Sequence, residues 1–302
     1  MLYDILIIGG GPAGLTAATY ACRAGKHVLV LEKAAFGGQI TWSPRVENFP
    51  GFVSISGVEL GDKLLEQAME QGAEAELEEV TAIERGAEGF SVRCESGAVF
   101  EARALILATG AKPRMLGVER EEELVGSGVG YCAVCDGAFY KGKPVAVCGG
   151  GNSALQDALL LSESCSQVWL IHRRSSFRGE QKLVEALEKK ENVHFVLHAR
   201  VTALLGEEEL SGLMLEQNGE SKELTVEGLF VAIGHQPDLS AFVDFLKLDP
   251  AGYAASGEDC LSPTPGLFVA GDCRAKHVRQ LTTAAADGAV SALAACDYLD
   301  RL

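Results

Sequence analysis

The sequence predicts an α/β protein with two similar domains, each a largely parallel sheet flanked by helices. Three observations lead to this prediction. The chain has 302 residues, which suits two domains of roughly 100 to 200 residues each. A glycine-rich turn lies near the N-terminus, between a short apolar run and a helical segment, and a second turn of the same kind begins at Gly149. Each copy continues through a hairpin pattern to a further apolar strand.

The first unit opens with a continuous apolar run at residues 3–8, which is typical of a strand buried on both faces of a parallel sheet. Residues 9–14 form the glycine turn. An alanine-rich stretch at residues 15–23 predicts a helix, and residues 28–31 predict a second strand that ends at Glu32. Together they predict a β-α-β unit.

The second unit repeats this order. Residues 144–148 predict a strand, residues 149–154 a glycine turn, and residues 154–162 a helix. Residues 168–171 predict the closing strand. Further on, Asn218-Gly219 between two apolar runs is a hairpin signal.

The C-terminal segment predicts a discontinuous first domain. A third strand of the same kind, at residues 266–270, leads into Gly271-Asp272 and is expected to complete the first sheet. Proline-containing segments near Pro113 and Pro237 mark two changes of direction. We therefore expect one domain from residues 1–112 and 240–302, with a second domain at residues 113–239 inserted into it.

Composition excludes several classes of function. Acidic residues outnumber basic ones 42 to 26, giving a net charge of −16, and such a charge repels a nucleic-acid backbone. No apolar run approaches the roughly 20 residues that span a bilayer, and Asp4 lies where a signal peptide carries basic residues. The nine cysteines are mostly isolated, unlike a secreted disulfide framework. We expect a cytoplasmic protein with no nucleic-acid or membrane partner.

The first glycine turn predicts a dinucleotide site. Gly9, Gly11 and Gly14 have the G-x-G-x-x-G spacing between a strand and a helix, which lets backbone approach a pyrophosphate at the helix N-terminus. Glu32 ends the second strand, where a carboxylate accepts hydrogen bonds from ribose hydroxyls and repels a 2′-phosphate. The first unit is therefore predicted to bind FAD or NAD. The alternative is a tight turn followed by a solvated glutamate.

The second glycine turn predicts a different nucleotide. Gly149, Gly151 and Ala154 keep the same spacing, but basic residues replace the acid at the end of the second strand. A guanidinium matches a phosphate dianion in charge and geometry, so this unit is predicted to bind NADPH. A solvated basic cluster is the alternative. The basic residues are His172, Arg173, Arg174 and Arg178.

Two such sites in one chain predict electron transfer from NADPH to FAD and onward to an acceptor. Cys132 and Cys135 form a C-x-x-C pair beside a β-α-β pattern, which is typical of a redox-active disulfide. A structural zinc site is the rival interpretation, but the sequence offers no second cysteine pair at workable spacing, and we expect no metal. Asp136 is either an acid/base group or a cap or turn residue.

These motifs together resemble the bacterial-type, low-molecular-weight thioredoxin reductases over essentially the whole chain. The resemblance implies a flavoprotein oxidoreductase, a homodimer, and a dithiol carried by the NADPH domain. In the FAD domain it implies cofactor contacts at Gly9, Gly11, Pro12, Ala13, Gly14, Glu32, Gly38, Gln39, Asn48, Gly271, Asp272, Arg279 and Gln280. In the NADPH domain it implies cofactor contacts at Gly149, Gly151, Asn152, Ser153, Ala154, His172, Arg173, Arg174 and Arg178.

The resemblance also implies roles for the dithiol residues. Cys135 would exchange electrons with the flavin, Cys132 would attack the disulfide of thioredoxin or a thioredoxin-like protein, and Asp136 would act as acid and base. Three rival functions remain at this point: a ferredoxin-dependent flavin-thioredoxin reductase, a related dithiol oxidase, and a non-catalytic nucleotide sensor. The basic cluster after the second glycine turn favours the NADPH-dependent reductase over the ferredoxin-dependent enzyme.

Overall fold

The computed structural model describes residues 2–86 and 88–302. The chain separates into two compact units, the first formed by Met1–Lys112 with Gln236–Leu302 and the second by Pro113–His235. The structure thus places the return into the first unit at Gln236, whereas the sequence placed it at residue 240.

Strands and helices alternate along the described residues. The strands are β1 Leu2–Ile8, β2 Val28–Glu32, β3 Glu74–Leu77, β4 Val80–Arg85, β5 Phe90–Cys94, β6 Val99–Leu107, β7 Ala111–Pro113, β8 Val129–Gly130, β9 Pro144–Gly149, β10 Gln167–His172, β11 Val193–Leu197, β12 Ala199–Leu205, β13 Gly212–Gln217, β14 Glu220–Leu224, β15 Gly228–Ala232, β16 His235–Pro237 and β17 Leu267–Val269. The helices are α1 Pro12–Arg23, α2 Gly57–Glu70, α3 Ala133–Asp136, α4 Asn152–Ser162, α5 Gln181–Glu188 and α6 Leu281–Leu299.

The sheet of the first unit is parallel at its centre. Its strand order is β3-β2-β1-β6-β5-β4, and β17 also pairs with β6. The pairs among β3, β2, β1, β6 and β17 are parallel, whereas β4 and β5 add an antiparallel edge. The C-terminal strand β17 thus joins the N-terminal sheet, as the discontinuous domain requires.

Strand β1 is buried on both faces, as its continuous apolar run predicts. Ile5 and Ile7 pack in a core cluster with residues of α1 and α6, and Leu6 and Ile8 pack in a second cluster with residues of β5 and the 239–254 segment. Helices α1 and α6 pack closely at Gly288, where a Cβ would lie 2.2 Å from the Ala13 carbonyl oxygen.

The second unit contains two sheets. One has the order β11-β10-β9-β15-β8, with parallel pairing throughout, and the other is the antiparallel sheet β12-β13-β14. The predicted hairpin between β13 and β14 is present, and both Asn218 and Gly219 have positive φ angles, 53° and 86°, as a type I′ turn requires. Val145 and Val147 of β9 pack with α4, whereas Ala146 and Cys148 pack with the antiparallel sheet.

The parallel sheets agree with the α/β class predicted from sequence. Both glycine-turn helices begin earlier than predicted: α1 starts at Pro12 and α4 at Asn152. Proline is favourable in the first turn of a helix because it has no backbone N–H to leave unpaired. Along the described residues, the helices are all too short or too polar to span a lipid bilayer.

Candidate functional site

The first glycine turn packs tightly at its two ends and is open at its middle. Gly9 has a φ of 111°, and a Cβ there would lie 2.3 Å from the Ala108 carbonyl oxygen. A Cβ on Gly14 would lie 1.8 Å from the Gly9 carbonyl oxygen. A Cβ on Gly11, by contrast, would meet only the Gly37 carbonyl oxygen at 3.9 Å. The outer glycines are therefore required by the fold, whereas the absence of a side chain at Gly11 leaves room for a ligand.

Glu32 is fixed at the end of β2 beside this turn. Its carboxylate accepts hydrogen bonds from the backbone N–H groups of Gly10 at 2.7 Å and Ala34 at 3.0 Å. Each oxygen keeps a further lone pair that can accept a hydrogen bond from a ligand hydroxyl. The predicted site residue Gln39 follows the left-handed Gly38 (φ 60°) and donates its amide to the Ala111 carbonyl oxygen at 2.8 Å.

Two buried polar side-chain oxygens lie just past the carboxyl ends of β6 and β17. Thr109 Oγ1 and Asp272 Oδ1 make no hydrogen bond within the described residues. Burial raises the pKa of Asp272, and the positive charges of Lys276 and Arg279 oppose that rise. Buried polar atoms are nearly always hydrogen-bonded in native proteins. Two such atoms near the open glycine turn fit a polar ligand such as the hydroxylated chain of FAD.

The other residues predicted to contact FAD cluster at the start of α6. Gln280 is the N-cap of this helix, and its side chain forms a capping box with Thr283. Asn48 donates to the Gln280 side-chain oxygen at 3.4 Å. Arg279 stacks its guanidinium over the Tyr253 ring at 4.0 Å from the ring centre. The structure thus brings Asn48 and Gln280 together, although they are far apart in sequence.

A buried ionic cluster next to Asp272 was not predicted from the sequence. Asp287 of α6 accepts two hydrogen bonds from Arg274 at 2.8 Å, one from Lys276 at 2.9 Å and one from the Gly271 N–H at 3.0 Å. Lys276 also lies 3.5 Å from Asp272 Oδ1. The cluster therefore fixes the Gly271-Asp272 turn against α6.

The second glycine turn has the same build as the first. A Cβ on Gly149 would lie 2.5 Å from the Ala232 carbonyl oxygen, whereas a Cβ on Gly151 would meet nothing within 4 Å. Ala154 takes the place of the third glycine and is fully buried. Here too the middle position is the open one, so backbone at Gly151 is accessible to a ligand.

The basic residues after β10 divide into two groups. Arg173, Arg174 and Arg178 are exposed, and none of them forms an ion pair within residues 2–86 and 88–302. The Arg178 N–H donates to the Gly150 carbonyl oxygen at 2.6 Å, which fixes this arginine beside the glycine turn. Three unpaired guanidinium groups at the predicted place suit a phosphate dianion.

His172 is buried and differs from these arginines. Its ring stacks on Phe177, and a Cβ on Gly150 would lie 2.3 Å from a ring atom. Burial, together with the positive charge of Arg178, lowers the pKa of His172. His172 therefore lies as a neutral ring beneath the glycine turn, and its exposed neighbours carry the positive charge.

Asn152 and Ser153 begin helix α4 beside this turn. Asn152 accepts a hydrogen bond from the Glu180 N–H at 2.7 Å and donates to the Glu180 side chain at 3.0 Å. Both side chains are exposed. Asn152 thus connects the glycine turn to the loop that carries Arg178.

Cys132 and Cys135 form a disulfide in the second unit. Cys132 is the N-cap of the short helix α3, and its sulfur accepts a hydrogen bond from the Cys135 N–H at 3.2 Å. Val134, between the two cysteines, is 59% exposed. After reduction, the same N–H group can stabilise a thiolate on Cys132.

Asp136 follows the disulfide and is largely removed from water. Burial raises its pKa to about 6, and its Oδ1 atom makes no hydrogen bond within the described residues. A Cβ on Gly130 would lie 3.2 Å from Asp136 Oδ2, so glycine at that position makes room for the carboxyl group. An acid with a pKa near neutrality can both donate and accept a proton at physiological pH.

Comparisons with known proteins agree with this geometry. The model of the pyridine nucleotide-disulphide oxidoreductase family matches residues 3–288. The chain is 40% identical to the thioredoxin reductase of Listeria monocytogenes, over 100% of this chain and 95% of that protein. The chain belongs to the thioredoxin reductase family. The resemblance and the α/β fold class predicted from sequence are both confirmed.

Two further relatives agree with this family membership. The bifunctional thioredoxin reductase/thioredoxin of Mycobacterium leprae is 40% identical, over 99% of this chain and 66% of that protein. The crystal structure of thioredoxin reductase from Streptococcus pyogenes is 36% identical, with a TM-score of 0.94, over 100% of this chain and 99% of that chain.

Sequence reasoning missed several polar residues that the structure withdraws wholly or partly from solvent. Thr109 and Asp287 lie near Asp272, and Asp157 of α4 is a partly buried acid whose pKa burial raises to about 6. Glu121 is 2% exposed. Asp157 is a charged residue within an apolar segment, and this pattern could have predicted its burial. Glu121 lies in an acidic stretch, which predicts a solvent-exposed surface.

Proposed function

We propose that this chain transfers two electrons from NADPH, through FAD and the Cys132–Cys135 pair, to the disulfide of thioredoxin or a thioredoxin-like protein. Membership of the family confirms the predicted enzyme class, a thioredoxin-disulfide reductase, and its two cofactors. The assignment of residues rests on one observation above all. Two glycine turns of equal build end beside a carboxylate in one unit and beside exposed guanidinium groups in the other.

The first unit is the proposed FAD site. Gly11 provides the open backbone for the pyrophosphate, and Glu32 accepts from the adenosine ribose. Asp272 Oδ1 and Thr109 Oγ1, which make no hydrogen bond within the described residues, would bind the hydroxylated side chain of the flavin. When bound, FAD supplies two-electron transfer between a nicotinamide and a disulfide.

The second unit is the proposed NADPH site. Gly151 offers open backbone at the start of α4, and the positive end of the helix dipole favours the pyrophosphate there. Arg173, Arg174 and Arg178 would hold the 2′-phosphate through charge-assisted hydrogen bonds. His172 packs against Gly150 of the turn, and as a neutral ring it would not form an ion pair with the phosphate.

The residues around the disulfide can carry out thiol exchange in a defined order. The Cys132 thiolate attacks one sulfur of the partner disulfide, and a mixed disulfide forms as the partner's first thiolate leaves. Asp136 gives its proton to that thiolate. The Asp136 carboxylate then takes the proton of the Cys135 thiol, the Cys135 thiolate attacks the Cys132 sulfur and closes the Cys132–Cys135 disulfide, and the second partner thiolate leaves and takes the proton from Asp136. The enzyme loses two electrons and the partner gains two.

The central test is steady-state turnover of thioredoxin with a reporter disulfide. We expect turnover with NADPH, much weaker turnover with NADH, and none in Cys132→Ser or Cys135→Ser variants. Cys22→Ser is the control, because Cys22 is an unpaired cysteine in the other unit. Turnover with reduced ferredoxin but not NADPH would indicate the ferredoxin-dependent enzyme. Oxygen consumption with a small dithiol and no NADPH use would indicate the oxidase.

The proposal also covers the domain bounds, the cellular compartment and the oligomeric state of the protein. The first unit, Met1–Lys112 with Gln236–Leu302, is the proposed FAD domain, and the second unit, Pro113–His235, is the proposed NADPH domain. We further propose that the enzyme is a cytoplasmic homodimer. Analytical ultracentrifugation of the flavin-loaded protein tests the dimer, for which a monomer at micromolar concentration is the contrary result.

A further inference from the structure

The second unit contains a buried carboxylate without a cationic partner. Glu121 is 2% exposed, and the ion pairs found within the described residues do not include it. A buried carboxylate is costly unless hydrogen bonds satisfy its oxygens. Glu121 accepts three: from the Leu116 N–H at 2.9 Å, the Gly117 N–H at 2.8 Å and the Tyr131 hydroxyl at 3.1 Å.

The residue before Glu121 has an unusual backbone conformation. Arg120 has a φ of 63°, in the left-handed region that residues other than glycine rarely adopt. Its guanidinium donates to the carbonyl oxygens of Gly206 and Glu207 and pairs with Glu123. Strained backbone of this kind persists only where the surrounding structure holds it.

Tyr131 connects this carboxylate to the dithiol. It lies between Gly130, whose Cα faces the Asp136 carboxyl group, and Cys132, whose sulfur receives the Cys135 N–H. The ring of Tyr131 packs against the core of the second unit. Its hydroxyl is therefore the polar end of a side chain that is anchored directly before the redox-active segment.

We propose that Glu121, acting through Tyr131, is a positioning residue for Cys132. The inference rests on the proposed redox role of the Cys132–Cys135 pair. The Tyr131–Glu121 hydrogen bond holds the Cys132 sulfur where the Cys135 N–H can stabilise it as a thiolate. A more stable thiolate favours the reduced dithiol and makes the disulfide a stronger oxidant. Loss of the hydrogen bond therefore makes the couple more reducing.

Tyr131→Phe tests this, because it removes only the hydroxyl. The flavin-loaded protein is equilibrated anaerobically in buffers of reduced and oxidised dithiothreitol, and free thiols at Cys132 and Cys135 are alkylated and counted by peptide mass spectrometry. We expect the equilibrium constant to shift about tenfold toward the disulfide, which corresponds to about 30 mV. The measurement uses neither NADPH nor thioredoxin, so its failure is distinct from failure of the proposed function.

Tyr3→Phe is the matched control. Tyr3 donates its hydroxyl to Glu74 at 2.8 Å in the first unit, so the variant loses a hydrogen bond of the same kind. We expect a similar fall in melting temperature for both variants and a changed equilibrium only for Tyr131→Phe. An unchanged equilibrium in Tyr131→Phe, or a shift toward the dithiol, would overturn the proposal.

A second variant covers the case in which Tyr131→Phe does not fold. Glu121→Gln keeps the side-chain length but has one fewer acceptor oxygen for its three donors. We expect the same direction of shift toward the disulfide. An equilibrium equal to that of the wild type in Glu121→Gln would also overturn the proposal.

Discussion

Replacing Asp136 by asparagine is expected to stabilise the second unit while removing its proton-transfer group. Burial raises the pKa of Asp136 from 3.8 to about 6. One pKa unit corresponds to about 1.4 kcal/mol, so ionising this carboxyl group costs the fold about 3 kcal/mol.

The sign follows from proton binding. Between about pH 4 and pH 6 the native state holds the Asp136 proton more tightly than the unfolded state does, so stability falls as pH rises through this window. Above pH 6 the full cost is present, and below pH 4 it is absent. After allowing about 1 kcal/mol for the unpaired amide donors, Asp136→Asn should therefore gain about 2 kcal/mol at pH 8 and lose about 1 kcal/mol near pH 3.5.

Urea unfolding can be followed for the second unit alone. The chain has two tryptophans, Trp42 in the first unit and Trp169 in the second. In a Trp42→Phe background, Trp169 fluorescence reports the unit that contains Asp136. Thioredoxin reduction by Asp136→Asn is expected to slow by about 10²-fold or more, since positioned acids contribute on that scale.

Asp157→Asn is the control for this prediction. Burial also raises the pKa of Asp157 to about 6, but the proposed exchange does not use it. The control variant should gain similar stability at pH 8 and keep the thiol-exchange rate. If Asp136→Asn gains no stability at pH 8, or if it exchanges thiols as fast as the control, the assignment of Asp136 as a desolvated acid is wrong.

Substitutions at three further places test other parts of the structure. Gly11→Ala should fold normally, because its Cβ has open space, but its content of bound flavin should fall at least tenfold. Gly14→Ala places a Cβ 1.8 Å from a carbonyl oxygen and should lose both the native fold and bound flavin. Equal flavin content in Gly11→Ala and the wild type would refute the pyrophosphate assignment. The double variant Arg173→Ala with Arg174→Ala loses about 1.5 to 3 kcal/mol of charge-assisted hydrogen bonding. Its KM for NADPH should rise by about 10- to 100-fold, and its KM for NADH should stay unchanged. An equal rise of the two KM values would contradict a 2′-phosphate site. Asp287→Ala leaves buried cations unpaired and should destabilise the first unit by about 3 to 5 kcal/mol in urea unfolding; a change below about 1 kcal/mol would mean the cluster is not structural.

The duplicated units could be predicted from local patterns because each pattern has a local cause. Apolar runs, glycine turns and the Asn218-Gly219 hairpin each depend on neighbouring residues, and the structure places all three. The starts of α1 and α4 were placed late, because the helical pattern was read from the apolar residues after the turn. The turn residues Pro12 and Asn152 already belong to these helices.

Other parts depend on side-chain direction and on contacts between distant segments, which local patterns do not contain. His172 and Arg173 are adjacent in sequence, yet one is buried and the other exposed. Glu121 lies in an acidic stretch, and only the fold shows that its carboxylate turns inward to Tyr131. The Asp287 cluster likewise joins the Gly271 turn to α6.

Peptide mapping of cysteine thiols after anaerobic addition of NADPH tests the central claim most directly. The claim is that electrons enter at the second nucleotide site and reach the disulfide within the same protein. We expect two new thiols per chain, at Cys132 and Cys135, with NADPH, and far fewer with NADH at the same concentration. A disulfide that stays closed under NADPH while bound flavin is present would contradict the account.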